Sequence, residues 1–184
     1  MKSLSSNKLY NCRVLPTRVN LLEKIPENSV GAELGIQIAQ FSKKISDIVK
    51  PKLFYLVDTW IDMKLEENYT DRFLKRTKNS NYIKRKQTSE SFLKSLDDNH
   101  LDWVYIDADH SYDSVKTDLL LSKDKVKDDG YIMGDDYINY DYTNHSFWGV
   151  KDAVNEFLQE FDYEMIYFTL DIDGYHSYCL RKII

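Results

Sequence analysis

The 184-residue chain carries 25 basic and 30 acidic side chains, a net charge of -5 with histidine neutral, so it offers no broad cationic face to a nucleic acid backbone. Its 42% hydrophobic and 30% charged residues, with only 6 glycines and 3 prolines, exclude a disordered or fibrous chain, and the length suits a single domain over 1–184. Two cysteines, Cys12 and Cys179, form neither a disulfide framework nor a zinc-ligand spacing and are expected as free thiols.

The first stretch, "MKSLSSNKLYNCRVLPTRV", has no apolar run of the signal-peptide kind, and no window approaches the ~20 apolar residues of a membrane span. A cytoplasmic protein without a membrane partner is expected. "SVGAEL" then reads as a strand ending near Gly35, followed by Ile38, Phe41, Ile45 and Ile48 at helical spacing. "KLFYLVD" (52–58) follows Pro51 as a continuous apolar run, the pattern of a strand covered on both faces.

A polar helix is predicted over about 66–77, and "YIKRK" (82–86) alternates weakly, as a third strand near a sheet edge would. Arg72, Lys75, Arg76, Lys78, Lys84, Arg85 and Lys86 crowd this region, either as a solvated face or as a docking point for an anionic ligand. Ser89 is placed to cap a short helix ending near Leu96, since its hydroxyl can satisfy a first-turn amide. "LDWVYID" is the fourth strand, and Ser111 can cap a helix that shows Tyr112, Val115 and Leu119 on one face.

"GYIMG" (130–134) is the fifth strand, and residues 135–148, "DDYINYDYTNHSFW", form an aromatic-rich irregular segment, a candidate lid. "VKDAVNEFLQEF" is amphipathic, and "YEMIYFTL" and "GYHSYCLRKII" read as two closing strands turned at Asp171 to Gly174. Strands alternating with helices predict an α/β, Rossmann-like, doubly wound and mostly parallel sheet, and the last two strands a C-terminal antiparallel hairpin.

Ligands of such sheets bind beyond the carboxyl ends of the strands. That rule selects Glu33 to Gly35, Asp58, Asp107 to His110, and Gly134 to Asp136. Glycine at a turn before a helix lets a ligand approach the backbone, although only Gly31 and Gly35 are present where a dinucleotide motif needs three glycines. Asp58 can accept both hydroxyls of a ribose or cap a helix. Asp107, Asp135 and Asp136 come from adjacent strand ends, and carboxylates crowded there raise one another's pKa until a cation relieves them. An all-oxygen site suits Mg²⁺ first, then Mn²⁺ or Ca²⁺; a solvated acidic turn is the plainer alternative. His110, with an ordinary pKa of about 6.5, can be a general base or can simply bond a backbone carbonyl.

The stretches "VGAELGIQIAQFSKKI", "YLVDTW", "LDWVYIDADHSYDSVKTDL", "VKDDGYIMGDDY" and "GVKDAVNEF", in this order through most of 30–158, resemble class I methyltransferases that use S-adenosylmethionine (SAM). More narrowly they resemble the metal-dependent sugar and macrolide O-methyltransferases related to macrocin O-methyltransferase and the cephalosporin-cluster methyltransferase. "YIDADHSYDSVKTDL" with a downstream "GDDY" is the most specific part. Ala39 departs from the glycine common in that family, and residues 1–28 lie outside the resemblance as an N-terminal extension, expected to pack over the pocket or between copies of the chain.

The resemblance implies that Glu33 and Gly35 border the methionine part of SAM, Asp58 holds the ribose, and Gln87 and Ser89 line the adenine. It further implies that Asp107, Asp135 and Asp136 carry Mg²⁺, with Asp107 at the joint between cofactor and catalytic site and His110 as base. The expected reaction is in-line methyl transfer to a metal-bound hydroxyl of a small acceptor, a sugar or other vicinal diol, with Tyr137, Tyr140, Tyr142, Phe147 and Trp148 offering faces for stacking. Two alternatives belong to other classes: a non-catalytic SAM- or glycan-binding protein of the same fold, and an NAD-dependent oxidoreductase.

Overall fold

The computed structural model describes residues 4–61, 64–76 and 81–184. The apolar runs form the middle of an open sheet. β2 (Val30–Leu34) is buried at every position, flanked in parallel by β3 (Leu53–Asp58) and β5 (Leu101–Ile106). Gly31 is dictated by this packing, because a Cβ there would lie 2.0 Å from Cε2 of the buried Trp103 indole on β5. β4 (Tyr82–Lys86) closes one edge against β3, where a weakly apolar strand is tolerated.

On the other side of β5 lies β6 (Val126–Gly134). It starts four residues earlier than "GYIMG" suggests, because α5 (Tyr112–Lys125) runs straight into it and Val126 pairs with Leu101 before a register shift. β10 (Tyr178–Lys182) is antiparallel to both β6 and β9 (Tyr163–Thr169), so the expected C-terminal hairpin is present, turned by an Asp171 to Gly174 hydrogen bond.

The extension contributes the remaining edge. β1 (Arg13–Leu15) pairs in parallel with β9, giving the order β1-β9-β10-β6-β5-β2-β3-β4. Helices α1 (Arg18–Leu22), α2 (Gln40–Val49) and α3 (Lys64–Leu74) supply one apolar layer through Leu21, Ile45, Val49 and Leu74. Helices α4 (Ser89–Lys94), α5 and α6 (Val150–Glu160) supply the other through Phe92, Val115, Leu119 and Val154. Replacing one fully buried member, such as Leu119→Ala, is expected to cost about 2–5 kcal/mol.

Three local expectations are corrected. Thr88, not Ser89, caps α4, its hydroxyl accepting from Ser91 N at 3.1 Å, and Ser89 is the first helical residue. The aromatic segment is not wholly irregular: β7 (Tyr140–Asp141) and β8 (Ser146–Phe147) form a small antiparallel hairpin. Its turn is held by the buried Asp141, which accepts from Thr143 N at 2.8 Å and from the Tyr175 hydroxyl at 2.7 Å. The helix read from Ile38, Phe41, Ile45 and Ile48 begins at Gln40, past Ile38, and its buried face ends in Val49 rather than Ile48. The part of the polar helix assigned to Thr77, and Lys78 of the basic run, lie outside the described residues. Among those described, no helix is long and apolar enough to cross a membrane, and both cysteines are free thiols.

Candidate active site

The carboxyl ends of β2, β3 and β5 open into a cavity of about 1030 Å³ lined by Glu33, Gly35, Asp58, Gln87, Ser89 and Asp107, all six expected cofactor positions, and by His110. Its first wall is the turn after β2. Gly35 has φ +91°, and a Cβ there would meet the Asp107 carbonyl oxygen at 1.9 Å, so only glycine lets β2 and β5 converge. Ala39 takes φ +62°, a left-handed conformation costing a non-glycine residue about 1–2 kcal/mol, which explains why a glycine would suit this position.

Asp58 fixes the turn. Its Oδ2 accepts from Ile36 N at 2.8 Å and Gln37 N at 2.9 Å, and its Oδ1 from Trp60 N at 2.8 Å. Three backbone donors thus fill most of the acceptor positions that were assigned to a ribose. Glu33 is only 2% exposed and its Oε2 has no hydrogen-bond partner, and burial pushes its carboxyl well above the ordinary range. A buried carboxyl oxygen left without a partner on the cavity wall can accept from a cationic or hydrogen-bond-donating group.

Near Gln87 and Ser89 the cavity also meets Asp118 of α5, which is 3% exposed. Burial lifts its carboxyl to about 6, with Ser89 pulling the other way.

At the other end Asp107, Asp135 and Asp136 do converge, from the ends of β5 and β6, which pair up to Ile106 and Gly134. They are not equivalent. Asp135 is buried, with one oxygen in contact with Arg18 Nη1 and the other accepting from Ser177 Oγ at 2.7 Å. Asp107 and Asp136 instead face His110, whose Nε2 is 3.8 Å from Asp107 Oδ1 and 2.8 Å from Asp136 Oδ2. Single donor atoms from Asp107, His110 and Asp136 all lie within 4.8 Å of one another, a spacing that fits a metal ion.

The electrostatics follow from that crowding. Burial, then Asp107 and Asp136, push the Asp135 carboxyl up to about 7 against the pull of Arg18. Burial opposes a charge on His110, but Asp107 and Asp136 outweigh it and push the imidazole up to about 10. The two carboxylates thus favour the protonated imidazole, which opposes a role for His110 as proton acceptor in this arrangement.

Arg18 is the residue that sequence reasoning missed. It reaches the site from α1, in the extension, and its backbone N donates to Asp171 Oδ1 at 3.1 Å in the β9–β10 turn. The only hint of it was an acidic cluster in want of a cation. Two members of the basic run are paired with acids: Lys84 with Glu67 at 3.0 Å and Asp71 at 2.9 Å, and Lys86 with Glu67 at 2.6 Å.

The aromatic segment borders His110. Trp148 stacks on its ring, Gly149 N donates to its carbonyl at 2.7 Å, and Tyr142 and Phe147 of the hairpin are solvent-exposed.

A sheet in this order, with one antiparallel strand inside its last hairpin and a cavity at the ends of its central strands, defines the class I methyltransferase fold. SMU.1697c of Streptococcus mutans, a proposed methyltransferase solved with SAH, superposes with a TM-score of 0.68 at 13% identity, over 90% of this chain and 96% of that one. An rRNA methylase from Streptococcus thermophilus gives 0.68 at 14% identity over 91% and 95%. A SAM-dependent methyltransferase from Aquifex aeolicus gives 0.66 at 14% over 89% and 87%. No protein of curated function matches in sequence. The family described as "Methyltransferase domain" matches residues 30–137, more than half of the chain, and the chain belongs to that family.

Proposed function

We propose that the protein is a SAM-dependent O-methyltransferase that modifies a hydroxyl of a sugar or another small vicinal diol with the help of a divalent cation. The observation that carries this reading is one cavity that runs from the unpaired Oε2 of Glu33 to Asp107 and His110, which with Asp136 bring three donor atoms within 4.8 Å of one another. Glu33 answers an ammonium group, Gly35 leaves the backbone open to close approach, and Gln87 and Ser89 line the far end, which together suit the amino acid and nucleoside parts of SAM.

When bound, SAM supplies an electrophilic methyl, and a divalent cation at Asp107 and Asp136 supplies Lewis-acid polarisation of the acceptor hydroxyl. His110 stands within hydrogen-bond reach of groups at this cluster. It can take the hydroxyl proton only when the charge of Asp107 and Asp136 is answered by something other than itself, which a cation on those two carboxylates provides. The exposed faces of Tyr142 and Phe147, with Trp148 beside His110, suit a flat or pyranose-sized acceptor. An RNA acceptor, as named for the S. thermophilus relative, is opposed by the net charge of -5 and by the pairing of Lys84 and Lys86 with acidic side chains.

The test is isothermal titration with SAM and with S-adenosylhomocysteine (SAH), in Mg²⁺ and in excess chelator, followed by a panel of diol acceptors. Micromolar binding of both cofactors and turnover of a diol are expected. Binding without turnover on any diol returns the non-catalytic alternative, and no binding of SAH overturns the reading.

A further inference from the structure

We infer that Arg18 is the resident counter-cation of the strand-end carboxylates, and that a divalent cation entering this site must compete with its guanidinium. The inference rests on the cation-dependent part of the reading above.

The guanidinium is held from several directions. Nη1 contacts Asp135 Oδ2 and lies 3.9 Å from Asp107 Oδ2. Asp107 therefore sits between the Arg18 guanidinium on the side of Oδ2 and the His110 imidazole on the side of Oδ1. The flat face of the guanidinium rests on Phe41, Cζ being 4.4 Å from the ring centroid. The Arg18 backbone is tied to Asp171, and Leu170 N donates to Leu15 O at 2.9 Å. These contacts place the positive charge by design of the fold rather than by a flexible surface side chain.

Two consequences follow from this geometry. Asp135, with both oxygens satisfied by Arg18 and Ser177, is withdrawn from the set that can ligate a cation, which leaves Asp107 and Asp136 with His110 beside them as the base. A divalent ion ligated by Asp107 would also sit within a few ångströms of the guanidinium, where like charges repel strongly because the site is partly desolvated. Four carboxyls face this space, Asp107, Asp135, Asp136 and the 2% exposed Glu33, whose Oε2 has no hydrogen-bond partner. They create the demand for positive charge that Arg18 meets in part. Since the Arg18 side chain is still 34% exposed, it can yield towards solvent.

The test uses the full chain and Mn²⁺ as probe, titrated by calorimetry and by electron paramagnetic resonance against the wild type, Arg18→Gln, Arg18→Ala and Arg18→Lys. Folding is checked by circular dichroism, and SAH is titrated in parallel. We expect Mn²⁺ to bind at least tenfold more tightly to Arg18→Gln and Arg18→Ala, and Arg18→Lys to stay within threefold of the wild type. Equal or weaker Mn²⁺ binding in the two neutral variants would overturn the inference, as would equal tightening in Arg18→Lys, which would make shape the cause instead of charge. Absence of Mn²⁺ binding in every variant overturns it too. If SAH still binds in that case, the methyltransferase reading loses its cation alone. If SAH fails to bind the wild type, the reading falls while the Mn²⁺ comparison still decides the role of Arg18.

Discussion

Trp148 lies flat on the imidazole of His110, with ring centroids 4.0 Å apart and planes 10° from parallel. The stack sets the ring plane in which Nε2 faces Asp136, and the Gly149 N to His110 carbonyl bond holds the two segments in register. An aromatic pair of this kind contributes about 1 kcal/mol beyond simple burial. Trp148→Ala is expected to lower kcat roughly tenfold, with SAH affinity unchanged, and Trp148→Phe to recover most of it. Steady-state rates on a diol acceptor decide this, and wild-type kcat in Trp148→Ala would show that the ring is held by other contacts.

Asp136 is the carboxylate nearest His110, and it does not line the cofactor cavity. Asp136→Asn should abolish the response of the rate to added divalent cation and lower kcat on the order of a thousandfold, the several kcal/mol that a metal ion supplies. Its SAH affinity should stay near that of the wild type. Chelation of the wild type should mimic the substitution, and full activity in excess chelator would remove the cation from the reaction.

Asp58 accepts three backbone N–H bonds, so it is a structural brace as well as a candidate ribose ligand. Hydrogen bonds to a charged group contribute about 1.5–3 kcal/mol each, and partial solvation of this half-buried residue reduces the total. Asp58→Ala is expected to lower the melting temperature by roughly 4–8 °C and to weaken SAH by at least about tenfold. An unchanged melting temperature with weakened SAH would assign Asp58 to the ligand alone.

Asp118 gives a pH signature. Its carboxyl titrates near 6 in the folded chain against 3.8 for an ordinary aspartate, so folding favours the protonated form. The stability this gives is complete below pH 3.8 and is lost as pH rises through about 6. At about 1.4 kcal/mol per pH unit, the ionised group costs about 3 kcal/mol at pH 7.5. Asp118→Asn should therefore be more stable than the wild type at pH 7.5, with the gap closing towards pH 4. Denaturant midpoints at the two pH values measure it, and a constant gap would mean that the charge is not the cause.

Much of this architecture could be read locally. β2, β3 and β5 are covered on both faces and so are written as unbroken apolar runs, and the strand-end rule gathered Glu33, Gly35, Asp58, Asp107 and His110 into one cavity. The parts that escaped depend on contacts distant in sequence. β1 has three residues, two of them exposed, and exists only because β9 offers an edge. Arg18 has no periodicity or motif that marks it, and its position is set by Asp171 and Asp135, more than 100 residues away. The Thr88 cap was displaced by one residue because adjacent Thr88 and Ser89 carry the same chemistry. The β7–β8 hairpin depends on the buried Asp141 and on Tyr175 beyond α6.

The pairing of Arg13 with Tyr167 and of Leu15 with Thr169 also sets an order of assembly during translation. At ribosomal speeds the intervening residues take on the order of ten seconds to emerge, long enough for β2 to β6 and their helices to collapse first. β1, made before the other described strands, is thus among the last of them to dock. Until β9 arrives, the acids at the ends of β5 and β6 lack the arginine that β1 and α1 deliver, so a nascent chain acquires its core before its charge balance.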